Sequence, residues 1–291
     1  MMGTAMQFYR PQSIGQVNEL WDRHQHRARL IAGGTDLLVE FRQKNSWPAD
    51  GLIDLTQVQG IHGIEDQGDH LSIGAATTHD AIVKNDWIQR YAPILAGACR
   101  QIGSQQIRNR GTIGGNICNA SPCADSIPAL FVMNARLQVA SMQGERIVSV
   151  QEFFSAPYRT VLAPGEWLKG ILIPKADESA HWAFIKLGRR NAMAISRMSM
   201  AVMLWLNDKQ EFSEVRVAPG SVFPVWRRVT EVEQFLAGKK TADEVFERAG
   251  RLLAEIMIQV SGRRWSTPYK EPVVAALLSR VLRMAVQTNS A

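Results

Sequence analysis

Ala32-Gly33-Gly34-Thr35-Asp36 follows an apolar, strand-like run and leads into a helix-like segment, Asp36 to Lys44. Two adjacent glycines let the backbone turn sharply and bring bare N–H groups close to a ligand. Amide dipoles in such a turn, or at a helix start, form a concave anion site without a lysine. A single loop of this kind also suits an ordinary strand-to-helix turn. A second one, Thr112-Ile113-Gly114-Gly115-Asn116, lies about eighty residues further on and also ends in a small polar residue. Two such loops imply a pyrophosphate held from two sides, hence a dinucleotide. The Rossmann fingerprint G-x-G-x-x-G is absent, as is the G-K-[ST] of a P-loop.

Around the first loop, Ser13-Ile14-Gly15-Gln16 predicts a capping box opening a helix towards Trp21. Strands over Arg27 to Ala32 and Leu52 to Leu55 flank the loop and its helix, making a small β-α-β unit. Further on, the pattern predicts a strand from Leu71 to Gly74 and helices over Thr78 to Lys84, Pro93 to Ile102 and Asp125 to Asn134. A hairpin follows, Arg136 to Ala140 and Arg146 to Val150, turning near Gln143-Gly144. Trp167 to Ile173 is a strand ended by Pro174, and the polar stretch Lys175 to Ala180 is the candidate domain boundary. Beyond it come strands over His181 to Leu187, Met198 to Leu206 and Glu214 to Val217. Thr241-Ala242-Asp243-Glu244 predicts a capping box for a helix to about Val260, and a last helix spans Pro272 to Gln287.

Composition narrows the function. A chain of 291 residues can bury a large core, and 46% hydrophobic with 21% charged residues is a globular balance. The longest apolar run, Met200 to Leu206, has seven residues, against about 18 for a membrane span. Met1 to Arg10 has no signal-peptide core, so a cytoplasmic protein is expected. Three cysteines, Cys99, Cys118 and Cys123, are an odd number, which argues against a disulfide framework. They are also too few for an iron–sulfur cluster or structural zinc, each needing about four ligands. Cys118 and Cys123 lack the C-x-x-C spacing of a redox dithiol. The six histidines, His24, His26, His62, His70, His79 and His181, show no metal-binding spacing. Net charge is +6, but its basic pairs are not interleaved with aromatics, so nucleic acid is not the expected partner.

Further segments complete a family pattern: Gln106-Ile107-Arg108-Asn109, Ala120-Ser121-Pro122-Cys123-Ala124-Asp125, and Lys186 followed by Arg189-Arg190-Asn191-Ala192-Met193. With the two loops, and Leu30-Ile31 and Leu37 flanking the first, they run in order over nearly the whole chain. The tail matches too, with its Arg264-x-Ser266-x-x-x-Lys270 segment. The chain thus resembles the FAD-binding medium subunit of molybdenum hydroxylases, the group of xanthine dehydrogenase, aldehyde oxidase and aerobic carbon monoxide dehydrogenase. Its look is that of a bacterial xanthine dehydrogenase FAD-binding subunit.

The resemblance implies an α+β architecture. A two-lobed FAD-binding domain of the vanillyl-alcohol oxidase type would span 1–176, its lobes dividing near residue 58. A small α+β C-terminal domain, a three-stranded antiparallel sheet with helices, would span 178–288. The non-covalent FAD would lie between the lobes, its pyrophosphate gripped by Leu30, Ile31, Ala32, Gly33, Gly34, Thr35, Asp36 and Leu37 on one side. Thr112, Ile113, Gly114, Gly115 and Asn116 would grip it from the other. Asp125 would accept hydrogen bonds from the ribose or neighbouring flavin groups, or else cap a helix. Ile102 would line the pocket, and the backbone of Trp167 or Leu168 would touch the adenine end; all three also suit a plain core. Lys186 would stand near the isoalloxazine and stabilise an anionic reduced flavin, or face solvent from a strand.

In such complexes a large subunit oxidises substrate at a molybdenum cofactor, and a small subunit carries 2Fe–2S iron–sulfur clusters. The flavin subunit hands electrons to an acceptor, often NAD. No catalytic or metal-binding residue is expected in this chain itself. Ala194 stands where many relatives carry an aspartate, and Arg197 adds a nearby charge, so acceptor access or flavin potential is expected to differ from the NAD-reducing case. Two other functions fit the loops: a free-standing FAD-dependent oxidoreductase of the same fold, and a non-catalytic nucleotide-binding subunit. Neither glycine loop holds the His or Cys that a covalent flavin link would need.

Overall fold

The structure is a computed structural model and describes residues 6–24, 27–44, 51–190 and 193–288. The readings that touch Met1 to Ala5, His26, Asn191 and Ala192 lie outside those residues.

The N-terminal part builds the expected β-α-β unit and adds one strand. β1 (Gln7–Tyr9), α1 (Ile14–His24), β2 (Ala28–Ile31), α2 (Leu37–Lys44) and β3 (Gly51–Asp54) form a three-stranded parallel sheet in the order β1-β3-β2. Half of the predicted capping box forms: the Gln16 amide donates to Ser13 Oγ at 3.3 Å, while Gln16 Oε1 reaches one residue further and accepts from the Gln12 amide at 2.7 Å.

The next part is a five-stranded antiparallel sheet flanked by helices. Its strands are β4 (Ile64–Asp66), β5 (His70–Gly74), β6 (Arg136–Ser141), β7 (Gly144–Ser149) and, after the short pair β8 (Phe154–Ala156) and β9 (Arg159–Thr160), β10 (Trp167–Pro174). They run in the order β4-β5-β10-β6-β7. Between β5 and β6 lie α3 (His79–Lys84), α4 (Asp86–Tyr91), α5 (Pro93–Arg100), α6 (Gln105–Arg110), α7 (Ile113–Asn119) and α8 (Ser126–Val132). Trp167, at the start of β10, leaves this sheet's core and packs with Val17 of α1 and with Ala28 and Ile53 of the first sheet. Its indole N–H donates to Asn18 Oδ1 at 2.7 Å, and Trp21 reciprocates with a 3.0 Å bond to the Glu166 carbonyl.

The last part is β11 (His181–Leu187), β12 (Met198–Leu206) and β13 (Phe212–Gly220), an antiparallel sheet ordered β11-β12-β13, with α9 (Thr230–Leu236), α10 (Asp243–Ser261) and α11 (Thr267–Gln287). The apolar run of β12 is explained by burial on both faces, which removes the need for polar alternation. Met200, Val202 and Leu204 face the core shared with α10 and α11, while Ala201 and Met203 join the core of the preceding part. No helix among the described residues is long and apolar enough to cross a membrane.

Two helix starts differ from the sequence reading. α10 begins at Asp243 with Ala242 as its uncapped flank, so the Thr241 capping box does not form. α11 begins at Thr267, with Pro268 in its first turn, and carries Pro272 inside it rather than at its start. Proline suits a first helical turn because its missing N–H has no partner there anyway.

Candidate dinucleotide site

The two glycine loops meet. A Cβ on Gly33 would sit 2.0 Å from the Arg110 carbonyl oxygen and 2.9 Å from Gly111 Cα. One on Gly111 would lie 3.4 Å from both Thr35 Oγ1 and the His79 ring. Only a residue without a side chain lets the first loop close on the chain entering the second. Gly34 adopts φ +73°, a left-handed conformation that strains other residues.

The first loop has the character expected of an anion cradle. The carbonyls of Gly34 and Asp36 accept from Leu38 and Glu40 as α2 begins. The amides of Gly33, Gly34, Thr35 and Asp36 donate to nothing among the described residues. Four consecutive unpaired N–H groups at a helix start form a concave donor surface. The Asp36 carboxyl is raised above the usual carboxylate range by burial, with the Thr35 hydroxyl opposing.

The second loop is built differently, which narrows the backbone grip expected from sequence on that side to one amide. It is the first turn of α7, and four of its five amides are already spent, the Thr112 N–H alone donating to nothing among the described residues. Ile113 donates to the Thr77 carbonyl at 3.0 Å and Gly114 to the Ala75 carbonyl at 2.8 Å. Gly115 donates to Thr112 Oγ1, the helix cap, at 3.1 Å, and Asn116 to the Thr112 carbonyl at 3.0 Å. The cause is close packing: a Cβ on Gly114 would lie 2.6 Å from Ala75. What this loop retains for a ligand is the Thr112 amide and two side chains. The Thr112 hydroxyl keeps its proton to donate, and Asn116, whose Oδ1 accepts from Ser126 Oγ at 2.7 Å, keeps its Nδ2.

Asp125 and Lys186, expected separately at the ligand, are brought together with each other. Lys186 Nζ lies 2.6 Å from Asp125 Oδ2, with the two side chains only 8% and 5% exposed, and also donates to the Gln101 carbonyl at 2.9 Å. The lysine of β11 thereby ties the C-terminal sheet to the ends of α5 and α8, and is not the solvent-facing strand residue its sequence also allowed. Asp125 does not cap α8 with its side chain. Burial raises its carboxyl pKa, while the Lys186 ammonium opposes the rise. Its Oδ1 and the buried Ser196 hydroxyl face each other, the hydroxyl helping to oppose the rise, without closing into a hydrogen bond of full geometry. A pair so matched is close to neutral, so the field of Lys186 is largely cancelled at any distance beyond the pair.

The remaining expected residues surround this frame. Ile102 is half-buried against the core, its carbonyl held by Arg108 Nη1 at 3.0 Å. Trp167 and Leu168 are core residues by their side chains, and the Leu168 backbone takes the Cys118 thiol. Burial raises the Cys99 thiol, while Cys118 is exposed and Cys123 half-buried, and all three are free cysteines. Arg197 lies over the Tyr269 ring, 5.2 Å from its centroid. No cluster of metal ligands occurs among the described residues. A cavity of about 430 Å³ between Lys175, Trp205 and Arg216 lies away from the loops, and its charges are already paired with Asp66, Asp177 and Glu214.

His79 was missed by the sequence reading, because nothing in its spacing marks it. It opens α3 beside Gly111, is 2% exposed, and has no partner for Nδ1. Burial, then the Arg108 charge, lowers its pKa from 6.5 to about 4. An unfolded imidazole takes up its proton near pH 6.5 and the folded one only near pH 4, so stability falls as pH drops through that window. The expected loss is about 3 kcal/mol. Urea unfolding at pH 7 and pH 4 checks it: His79→Phe should lose that much less than the native chain, and an equal loss would acquit His79.

Residues 4–176 match the family described as the FAD binding domain in molybdopterin dehydrogenase, and residues 182–285 match the CO dehydrogenase flavoprotein C-terminal domain. The fold and its two loops therefore define a flavoprotein of the molybdenum hydroxylase class. Within that class the chain belongs to the FAD-binding medium subunits. It is 29% identical to the nicotine 6-hydroxylase medium subunit of Paenarthrobacter nicotinovorans, covering 96% of each chain. It is 31% identical to the xanthine dehydrogenase FAD-binding subunit of Escherichia coli O157:H7, covering 93% of this chain and 92% of that one. Among solved structures, the carbon monoxide dehydrogenase of Hydrogenophaga pseudoflava has a chain with TM-score 0.90 and 27% identity, covering 98% of both.

Proposed function

We propose that the chain is the electron-transfer subunit of a xanthine dehydrogenase-like molybdenum hydroxylase acting on a purine or related heteroaromatic. It receives electrons from 2Fe–2S clusters of a small partner subunit, a large partner holds the molybdenum cofactor, and NAD or another acceptor takes the electrons away. The supporting observation is the row of four unpaired amides, Gly33 to Asp36, fixed against the start of the second loop. That row suits a pyrophosphate, whose negative oxygens would replace water on those N–H groups.

In this reading FAD is held without a covalent bond, along 30–37 on one side and by the Thr112 and Asn116 side chains on the other. Ile113, Gly114 and Gly115 shape the wall rather than donate to it. Asp125 offers its free Oδ1 to a ribose or flavin donor, Ile102 lines the pocket, and the backbone of Trp167–Leu168 meets the adenine end. When bound, FAD supplies the redox chemistry; the chain binds, orients and shields it. The FAD-binding domain spans 1–176, as lobes of about 1–58 and 59–176, and the C-terminal domain spans 178–288. The compartment is the cytoplasm.

An absorbance spectrum tests this directly. The chain purified alone should show flavin bands whose chromophore is released by denaturation, with iron–sulfur absorbance added only in the presence of partners. A colourless protein that fails to bind added FAD would remove the dinucleotide, and the four amides would need another anion. Flavin without any co-purifying partner would favour the free-standing oxidoreductase.

A further inference from the structure

A third segment closes on the junction of the two glycine loops, and its last residue is a histidine. Residues 77–79 run antiparallel to 111–113, with Thr78 and Thr112 bridged. The His79 amide donates to the Gly111 carbonyl at 3.0 Å, and the Ile113 amide donates to the Thr77 carbonyl at 3.0 Å. His79 is therefore fixed by backbone against the entry of the second loop. Beside the Ile107 carbonyl, the space that a Gly111 side chain would fill is bounded by the His79 ring at Cδ2 and by Thr35 Oγ1 of the first loop, each 3.4 Å away. Cδ2 is bonded to Nε2, so the ring edge turned to the junction is the one that carries Nε2. Nδ1 lies on the opposite edge.

As plain filling, this ring is a poor choice. It is 2% exposed, its Nδ1 has no partner, and no hydrogen bond to the ring occurs among the described residues. A buried polar group without a partner is costly, and a phenylalanine would occupy the same space without that cost. Burial and the Arg108 charge keep the imidazole neutral at pH 7, so it carries one N–H. With the proton on Nε2, Nδ1 is a buried lone pair and not an orphaned N–H, the rarer defect. The same choice turns the donor towards Thr35, whose amide is one of the four unpaired N–H groups of the first loop. What this donor lacks is an acceptor, and the amides beside it call for the same kind of ligand.

We infer that His79 is a binding residue of the dinucleotide site, donating from Nε2–H to an oxygen of the pyrophosphate held by the first glycine loop. The inference rests on the FAD-binding site proposed above and adds to it a contact from a segment outside both loops. A hydrogen bond to a charged phosphate oxygen is stronger than one between neutral groups, and this donor is already held in place by its backbone.

The test is titration of the full chain, stripped of flavin, with FAD, ADP and adenosine; ADP shares the pyrophosphate and adenosine lacks it. His79→Phe keeps the bulk of the ring and removes the donor. It is expected to weaken FAD and ADP by about 10- to 100-fold and to leave adenosine unchanged. Two amides then decide which nitrogen acts, because the side-chain nitrogen of glutamine reaches the place of Nε2 and that of asparagine the place of Nδ1. His79→Gln should bind ADP within about threefold of the native chain, and His79→Asn should fall with His79→Phe. Native affinity for ADP in His79→Phe would overturn the assignment. So would adenosine weakened as much as ADP, the mark of a loosened fold, or rescue by asparagine in place of glutamine. Should His79→Phe fail to fold, the glutamine and asparagine variants decide alone. If the native chain binds neither FAD nor ADP, the dinucleotide site itself falls, and the role of His79 with it.

Discussion

Replacing Gly33 by alanine is expected to weaken FAD binding by about tenfold to 100-fold and to leave the purified protein largely colourless. The new methyl carbon would be placed 2.0 Å from the Arg110 carbonyl oxygen, well inside contact distance. The obstacle is backbone, so no rotamer change relieves it. The loop must swing away from residues 110–111, and the row of four amides moves with it. Overpacking of this kind costs about 1–3 kcal/mol, which the binding energy must supply if the ligand is to restore the native loop. Gly15→Ala is the control: its methyl would meet only Ser13 Oγ at 4.0 Å, inside α1, so flavin content should not change. The check is the flavin-to-protein ratio together with FAD titration of the stripped protein. Native affinity in Gly33→Ala would mean that the contact between the loops does not shape the site.

Asp125→Ala is expected to destabilise the protein by about 3–5 kcal/mol, since it leaves the Lys186 ammonium buried without its partner. Lys186→Met strands the carboxylate instead, but a carboxyl already raised by burial can take up a proton and become neutral. The two variants should therefore respond oppositely to pH. In Lys186→Met the folded state binds the extra proton, so its deficit shrinks as pH falls. In Asp125→Ala the folded state gives a proton up, so its deficit shrinks as pH rises. Combining Asp125→Leu with Lys186→Met removes both charges and should recover most of the loss, because an apolar pair needs no desolvation. Urea unfolding across pH checks all three. Additive losses in the double variant would show that the 2.6 Å contact is not energetically coupled.

Much of this architecture was legible in residue patterns, and the exceptions share a cause. The β2-α2-β3 unit, the β6–β7 hairpin and the C-terminal sheet and helices announce themselves through local periodicity and turn residues. β1 has three residues, none fully buried, and becomes a strand only by pairing with β3, more than forty residues away. α6 buries no residue at all, so it has no apolar stripe to read. α7 carries two glycines, each costing about 1 kcal/mol in a helix, and is helical because Gly114 fits against Ala75. The same long-range packing hid the difference between the loops. Both have adjacent glycines, but only the structure shows that the carbonyls of Ala75 and Thr77 have already claimed the Gly114 and Ile113 amides of the second. His79 and Ser196 were invisible for the same reason: what distinguishes them is burial without a partner, a property of neighbours rather than of spacing.

The placement of Trp167 sets a schedule for synthesis. The small parallel sheet at the N-terminus completes its core only with a side chain that leaves the ribosome roughly a hundred residues after β3. At about 5–20 residues per second, that is a wait of roughly 5 to 20 seconds. Until then Val17, Ala28 and Ile53 lack their lid, and the nascent sheet presents an apolar face, open to chaperones and proteases before the first glycine loop can meet a ligand.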